Sequence, residues 1–169
     1  MALITAPTTI PNLEYEFHTI TVDTIGQDSA NTFTAHLMQP LKNVVQARLL
    51  AAHIHSNVST EHVYVSIDEL NSIFSDRASN VSTGQGSISA VRGSFASLVT
   101  NEGIHTGADA LVHFTDNYPV VTQYIDPIRR LDRLTVRLLD QNGNTIKNSS
   151  LNVANNFLVL RFTCRKMNV

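Results

Sequence analysis

From Leu134 to Leu139 the chain alternates strictly. Leu134, Val136 and Leu138 fall on one side, Thr135, Arg137 and Leu139 on the other. Asp140-Gln141-Asn142-Gly143 follows, and Phe157 to Thr163 repeats the alternation with Leu158, Leu160 and Phe162 on one face. A period of two marks a strand, because successive side chains of an extended backbone point to opposite faces. On a helix the same residues would scatter around the circumference. The Asn142-Gly143 pair accepts the positive φ that a tight reversal requires, and Asn144-Thr145-Ile146 leads the chain back.

Shorter runs of the same kind precede this one. Tyr15 to Asp23 is rich in Tyr, Phe, Thr, Ile and Val, and Gly26-Gln27-Asp28-Ser29 ends it. Thr32 to Met38 places Phe33, Ala35 and Leu37 on one face, with Pro40 as punctuation. Val44 to Ile54 carries Val45, Ala47, Leu49 and Ala51 on one face and Val44, Gln46, Arg48, Leu50 and Ala52 on the other. A helix is the rival reading there, since Ala, Leu, Gln and Arg favour helices. His62 to Ile67 alternates again, and Asp68 to Phe74 reads as one helical turn capped by Asp68. Ser79 to Gly86 has the composition of a flexible loop, and Ser94–Thr100, Ala110–Thr115 and Val120–Ile125 read as further strands.

About eight short strands without βα alternation predict an all-β sandwich or barrel, and a single jelly-roll sandwich is the eight-stranded antiparallel solution. A length of 169 residues fits one domain, read as a short N-terminal arm over 1–13 and a jelly-roll domain over 14–169. Its core is expected to draw on Phe33, Val45, Leu49, Val65, Leu134, Val136, Leu138, Leu158, Leu160 and Phe162.

Composition narrows the function. Only 15% of residues are charged, against about 25% in an average soluble domain. Twelve basic and fourteen acidic residues give a net charge of -2, so strong nucleic-acid binding is not expected. No apolar run is long enough to span a bilayer. Met1 to Pro7 has neither a basic segment nor a long apolar stretch, so no secretory signal is expected. Cys164, the one cysteine, excludes an internal disulfide and any cysteine-cluster metal site, and its alternation with Leu160 and Phe162 makes it a buried small hydrophobe. Low surface charge repels copies of the chain weakly, which favours assembly.

Two groups of residues carry chemistry. His53-Ile54-His55 would place two imidazoles on one face of a strand, and His113 lies on another, so the three together offer a metal site of the cupin kind. The glycines that frame cupin motifs are absent, Ala47 and Ala110 standing in their places, and the stronger reading is of polar residues at a strand end. Arg129, Arg130, Arg133 and Arg137, interleaved with Asp126 and Asp132, suit either local ion pairs or a subunit contact. No nucleophile elbow or phosphate loop occurs, so no catalytic residue and no cofactor are assigned.

Phe33 to Ile54, with Pro40-Leu41-Lys42-Asn43-Val44-Val45 between two strands, and Ile128 to Gly143, followed by Phe157 to Phe162, together resemble a viral family. The layout is similar to the small single jelly-roll capsid proteins of large double-stranded DNA viruses, virophages and polinton-like viruses. The resemblance implies a structural protein of the virion, either a pentamer at the fivefold vertex (a penton) or a minor capsid component. Its partners would be copies of itself and a major capsid protein, and it would need no metal, cofactor or catalysis. Asp126, Arg129, Arg130, Asp132 and Arg133 would then form one side of a subunit interface. A phage tail or fibre component is a structural variant of this reading, and a cupin-like enzyme is the alternative from another class. A carbohydrate-binding sandwich would need exposed aromatics, and the chain has no Trp.

Overall fold

The computed structural model describes residues 14–57, 60, 62–71, 91, 93–99, 105–106, 109–146 and 155–166. Among them are seven strands and no helix: β1 (Tyr15–Asp23), β2 (Thr32–Asn57), β3 (His62–Ile67), β4 (Ala96–Val99), β5 (His105–Thr106), β6 (Asp109–Leu139) and β7 (Phe157–Arg165). They form one antiparallel sheet in the order β1-β7-β2-β6-β3-β4, with the short β5 paired to the start of β6. The all-β expectation holds. The expected arm over 1–13 and the loop over 79–86 lie outside the described residues.

Two strands merge what the sequence divides. Thr32–Met38 and Val44–Ile54 belong to a single strand of 26 residues, and Ala110–Thr115, Val120–Ile125 and Leu134–Leu139 to one of 31. The helical rival for 44–54 is not adopted, because both β6 and β7 pair with this stretch. Pro40 does not end β2. Between the pairs His36↔Arg133 and Leu41↔Leu131 the strand makes an excursion over 37–40, so the missing proline N–H costs no ladder bond.

β6 makes two excursions of its own, over 124–127 and 116–119, where β2 advances only from Val44 to Gln46 and from Leu49 to Ala51. Asn43 (φ 51°) and Asp116 (φ 50°), next to these irregularities, take left-handed backbone that Asn and Asp tolerate better than most residues. The Arg48 guanidinium Nη2 donates to both Asp116 carboxylate oxygens at 2.9 and 2.6 Å and pins the second excursion across β2. The bends divide the β2–β6 ribbon into two lengths. Residues 44–57 and 109–123 run beside β7 and β1, while residues 32–42 and 128–139 run beside β3 and β4.

Bulges also decide which side chains enter the core. Against β7, the pair Val44↔Cys164 is followed by Gln46↔Thr163, and Leu49↔Leu160 by Ala51↔Val159. Each step inserts one residue in β2, and each insertion reverses the alternation. Val44, Ala47, Leu49, Ala52 and Ile54 are therefore buried. Val45, expected in the core, is only half-buried, and so is Ala51 on the same expected face. The other nine expected core residues are buried, within one contiguous cluster that takes members from every strand except β5.

Of the turn expected over 68–74, residues 72–74 lie outside the described residues, and within 68–71 Asp68 does not act as the cap. Residues 68–70 form a single turn in which Leu70 and Asn71 both donate to the Ile67 carbonyl. The Asn71 side chain accepts from the Ile67 N–H at 2.9 Å, while Asp68 faces Arg137 instead. The expected reversal after Leu139 is present. Gly143 has φ 81°, the Asp140 carboxylate accepts from the N–H groups of Asn142 and Asn144, and Ile146 N–H returns to Leu138.

Among the described residues no helix is long and apolar enough to cross a membrane.

Candidate functional site

Two of the three histidines singled out in the sequence come together, and the third stands across from one of them. After the second bulge, Ala52, Ile54 and Ser56 face inward, which turns His53 and His55 to the outer face of the sheet. Their Nε2 atoms lie 3.1 Å apart. His113 is the direct cross-strand partner of His53 on β6, with ring centroids 5.9 Å apart and nearly perpendicular. Partial burial lowers the His53 pKa, and the neighbouring His55 and then His113 lower it further. An imidazole surrounded in this way resists protonation, which leaves it a neutral donor–acceptor.

The arginine cluster lies on the second length of β6. Arg129, Arg130 and Arg133 are exposed, as are Asp126 and Asp132. Arg130 approaches Asp132 at 3.4 Å, and Arg133 approaches Glu69 at 3.6 Å. Arg137 pairs with Asp68. Glu69 is the anchored member, since its carboxylate also accepts from the Thr135 N–H at 2.7 Å and hydroxyl at 2.9 Å. Ile128, Arg130, Leu131, Asp132, Arg133 and Glu69 border a shallow cavity of about 530 Å³. Pairs this exposed contribute under about 1 kcal/mol each to the isolated fold. Their chemistry suits contact with another charged surface better than it suits stability.

Sequence reasoning missed a third group. β1 pairs with β7 without a bulge, so Glu16, His18, Ile20 and Val22 share one face. Val22 is buried and Ile20 packs on the core, while toward the start of β1 the same face opens, with His18 half-buried and Glu16 exposed. Opposite Glu16 stands Cys164, fully buried on β7. The ligating atoms of these three residues lie within 4.8 Å of one another, the one such trio among the described residues. His18 Nε2 is 3.3 Å from Glu16 Oε1, but the approach is not aligned as a hydrogen bond, and the nitrogen is sealed from solvent without a partner. Burial, and then the Glu16 carboxylate, push the Cys164 thiol up to about 11. Glu16 and His18 open on a cleft of about 780 Å³, closed on its far side by the 37–40 excursion of β2.

Large apolar side chains also face solvent at the bends. Met38 and Ile125, on the excursions of β2 and β6, are essentially fully exposed, at 102% and 97%. Ile25 and Val99 are exposed at 62% and 63%.

No protein-family model matches the chain, and no curated protein is significantly similar to it.

Proposed function

We propose that this chain is a viral structural protein, a self-assembling capsid component, and most specifically the pentameric vertex subunit of an icosahedral virion. The observation that carries the reading is the strand pairing. Dividing β2 once after residue 42 and β6 once at its 124–127 excursion, and setting aside the two-residue β5, leaves eight strands among the described residues. In chain order, the first pairs with the eighth, the second with the seventh, the third with the sixth and the fourth with the fifth. This pairing supports reading the antiparallel sheet as a long hairpin rolled up on itself, the arrangement of single jelly-roll domains. Tyr118 and Tyr124 support the roll. From the middle of β6 their hydroxyls donate to Ser97 O on β4 and to Leu70 O after β3, both at 2.9 Å, and so join the two lengths of the sheet.

A fold alone does not assign a role. The capsid reading adds the resemblance carried by residues 33–54 and 128–162, the low charge, and the exposed Met38 and Ile125. Closed rings need two different complementary patches per subunit. The Asp126–Arg133 strip would supply one of them. Its partners are then copies of itself and a major capsid protein, in the virion.

The test is native mass by light scattering over a dilution series, with electron microscopy of the product. A discrete particle near five times 18.6 kDa supports the vertex reading. A monomer at every concentration, which also fails to join a shell with a major capsid protein, overturns it. A stable trimer or hexamer replaces it with the tail or fibre variant.

The 3.1 Å approach of His53 and His55 is what favours a second reading, the cupin-like metal site, which would further require His113 to move closer than its 5.9 Å ring separation from His53. Stoichiometric metal lost on replacing His53 and His55 by Ala would support it, together with turnover of a small substrate.

A further inference from the structure

We propose that Glu16, His18 and Cys164 form a binding site for a transition-metal ion of zinc type, clamping β1 to β7. The donor set is one carboxylate oxygen, one imidazole nitrogen and one sulfur, the mixture that a borderline-soft, tetrahedral ion accepts. Hard cations such as calcium and magnesium take oxygen ligands and would not choose a buried thiol.

Three observations converge. The ligating atoms are gathered within 4.8 Å of one another. Binding would draw them in only slightly, since ligands sit about 2.0–2.3 Å from zinc. His18 Nε2 is shielded from solvent and has no hydrogen-bond partner, an uncommon and costly state for a polar atom. In the tautomer protonated at Nδ1, Nε2 holds a lone pair that a metal ion would accept and that the Glu16 oxygen, itself an acceptor, cannot satisfy. Finally, Glu16 and His18 break the inward-facing apolar run that Ile20 and Val22 begin. Departures of this kind from the binary pattern concentrate at functional sites.

The ligands come from two strands that are adjacent in space and remote in sequence. β1 contributes Glu16 and His18 from alternate positions, and β7 contributes Cys164 from the register position opposite Glu16. Glu16 and His18 also line a cleft, the side from which an ion would approach. Binding replaces the thiol proton: the S–H bond breaks, the sulfur electron pair goes to the metal, and the proton leaves to solvent. Its role is structural. An ion bound only when β1 and β7 are paired favours the paired state by mass action.

Cobalt(II) reports on this site, because a thiolate bound to it gives a charge-transfer band in the near ultraviolet that imidazole and carboxylate ligands do not. The full chain is titrated with Co²⁺, with Zn²⁺ as competitor, and melting is followed with Zn²⁺ and with chelator. The expected result is one equivalent of cobalt with a thiolate band, displaced by zinc, and a melting temperature raised by zinc and restored by chelator. Cys164→Ser should abolish the band. His18→Ala and Glu16→Gln, which change half-exposed or exposed positions, should weaken binding tenfold or more. The double variant His53→Ala/His55→Ala should keep the band, which separates this site from the outer-face histidines. Absence of a thiolate band in the folded protein overturns the proposal. So does a band that survives both His18→Ala and Glu16→Gln at unchanged affinity.

Discussion

Asn156 Nδ2 lies 3.3 Å from Asn31 Oδ1 inside the core, joining the residue before β7 to the residue before β2. Around this contact the backbone is fully tied. Asn156 Oδ1 accepts from the His55 N–H at 2.8 Å, and Nδ2 also donates to Ala30 O at 2.9 Å. Asn31 Nδ2 donates to Ile146 O at 2.9 Å, and Asn31 O accepts from the Leu138 N–H. Thr24, after β1, exchanges hydrogen bonds with Asn156 in both directions. Two amide side chains thus satisfy the strand ends where β1, β2, β6 and β7 meet.

Asn156→Ala should accordingly be among the most destabilising single changes, at about 3 kcal/mol. It strands the His55 N–H and the Ala30 carbonyl, each costing about 1–3 kcal/mol when buried without a partner. Denaturant unfolding of Asn156→Ala, Asn31→Ala and the pair measures this, and the double variant should lose less than the sum of the single ones. Additive losses would show that the two amides act independently.

The bulge at Val45 gives a paired comparison. Val44→Ala removes methyl groups from a fully buried position and should cost about 2 kcal/mol, from about 0.8 kcal/mol per buried carbon plus a cavity term. Val45→Ala, at a half-buried position one residue on, should cost less than half as much. Equal losses in urea unfolding would contradict the register of β2 against β7.

His53 makes stability depend on acid. Its folded pKa lies below the unfolded value of 6.5, so the unfolded chain binds the proton more readily. The contribution is fully present above pH 6.5 and is lost as the pH falls through the folded pKa. Melting temperature should therefore fall more between pH 7.5 and pH 5 in the parent protein than in His53→Gln. A variant as acid-sensitive as the parent would assign the effect to other groups.

Arg130 and Arg133 test the interface. Both side chains are more than half exposed, so Arg130→Glu/Arg133→Glu should leave the fold nearly as stable as before. Under the assembly reading the native mass should drop toward the monomer, and added salt should weaken assembly of the parent protein in the same direction. An unchanged native mass in the double variant removes this strip from the contact.

The period-two runs at 134–139 and 157–163 announced the β class and most of the core, because half-buried strands write their burial directly into the sequence. Val45 and Ala51 were misassigned for a physical reason. A bulge inserts one residue and reverses every later position on its strand, and nothing local in Val44-Val45-Gln46 marks it. The merging of β2 across Pro40 was hidden likewise, since an excursion absorbs the proline without breaking the strand. The pairing of His53 with His55 was readable from a spacing of two, whereas Cys164 meets Glu16 only through register across β1 and β7. The one local sign of that third group was a Glu and a His on the face that Ile20 and Val22 turn inward.

The sheet order has a consequence for synthesis. β7 lies between β1 and β2, so among the described strands β1 has no partner until β7 has been made. Throughout translation β1 is an unmatched edge, and the nascent chain cannot close its sheet step by step. Termination between β6 and β7 would release a product in which β1 shares no described ladder with the β2–β6–β3–β4 part, a species that chaperones must hold or proteases remove.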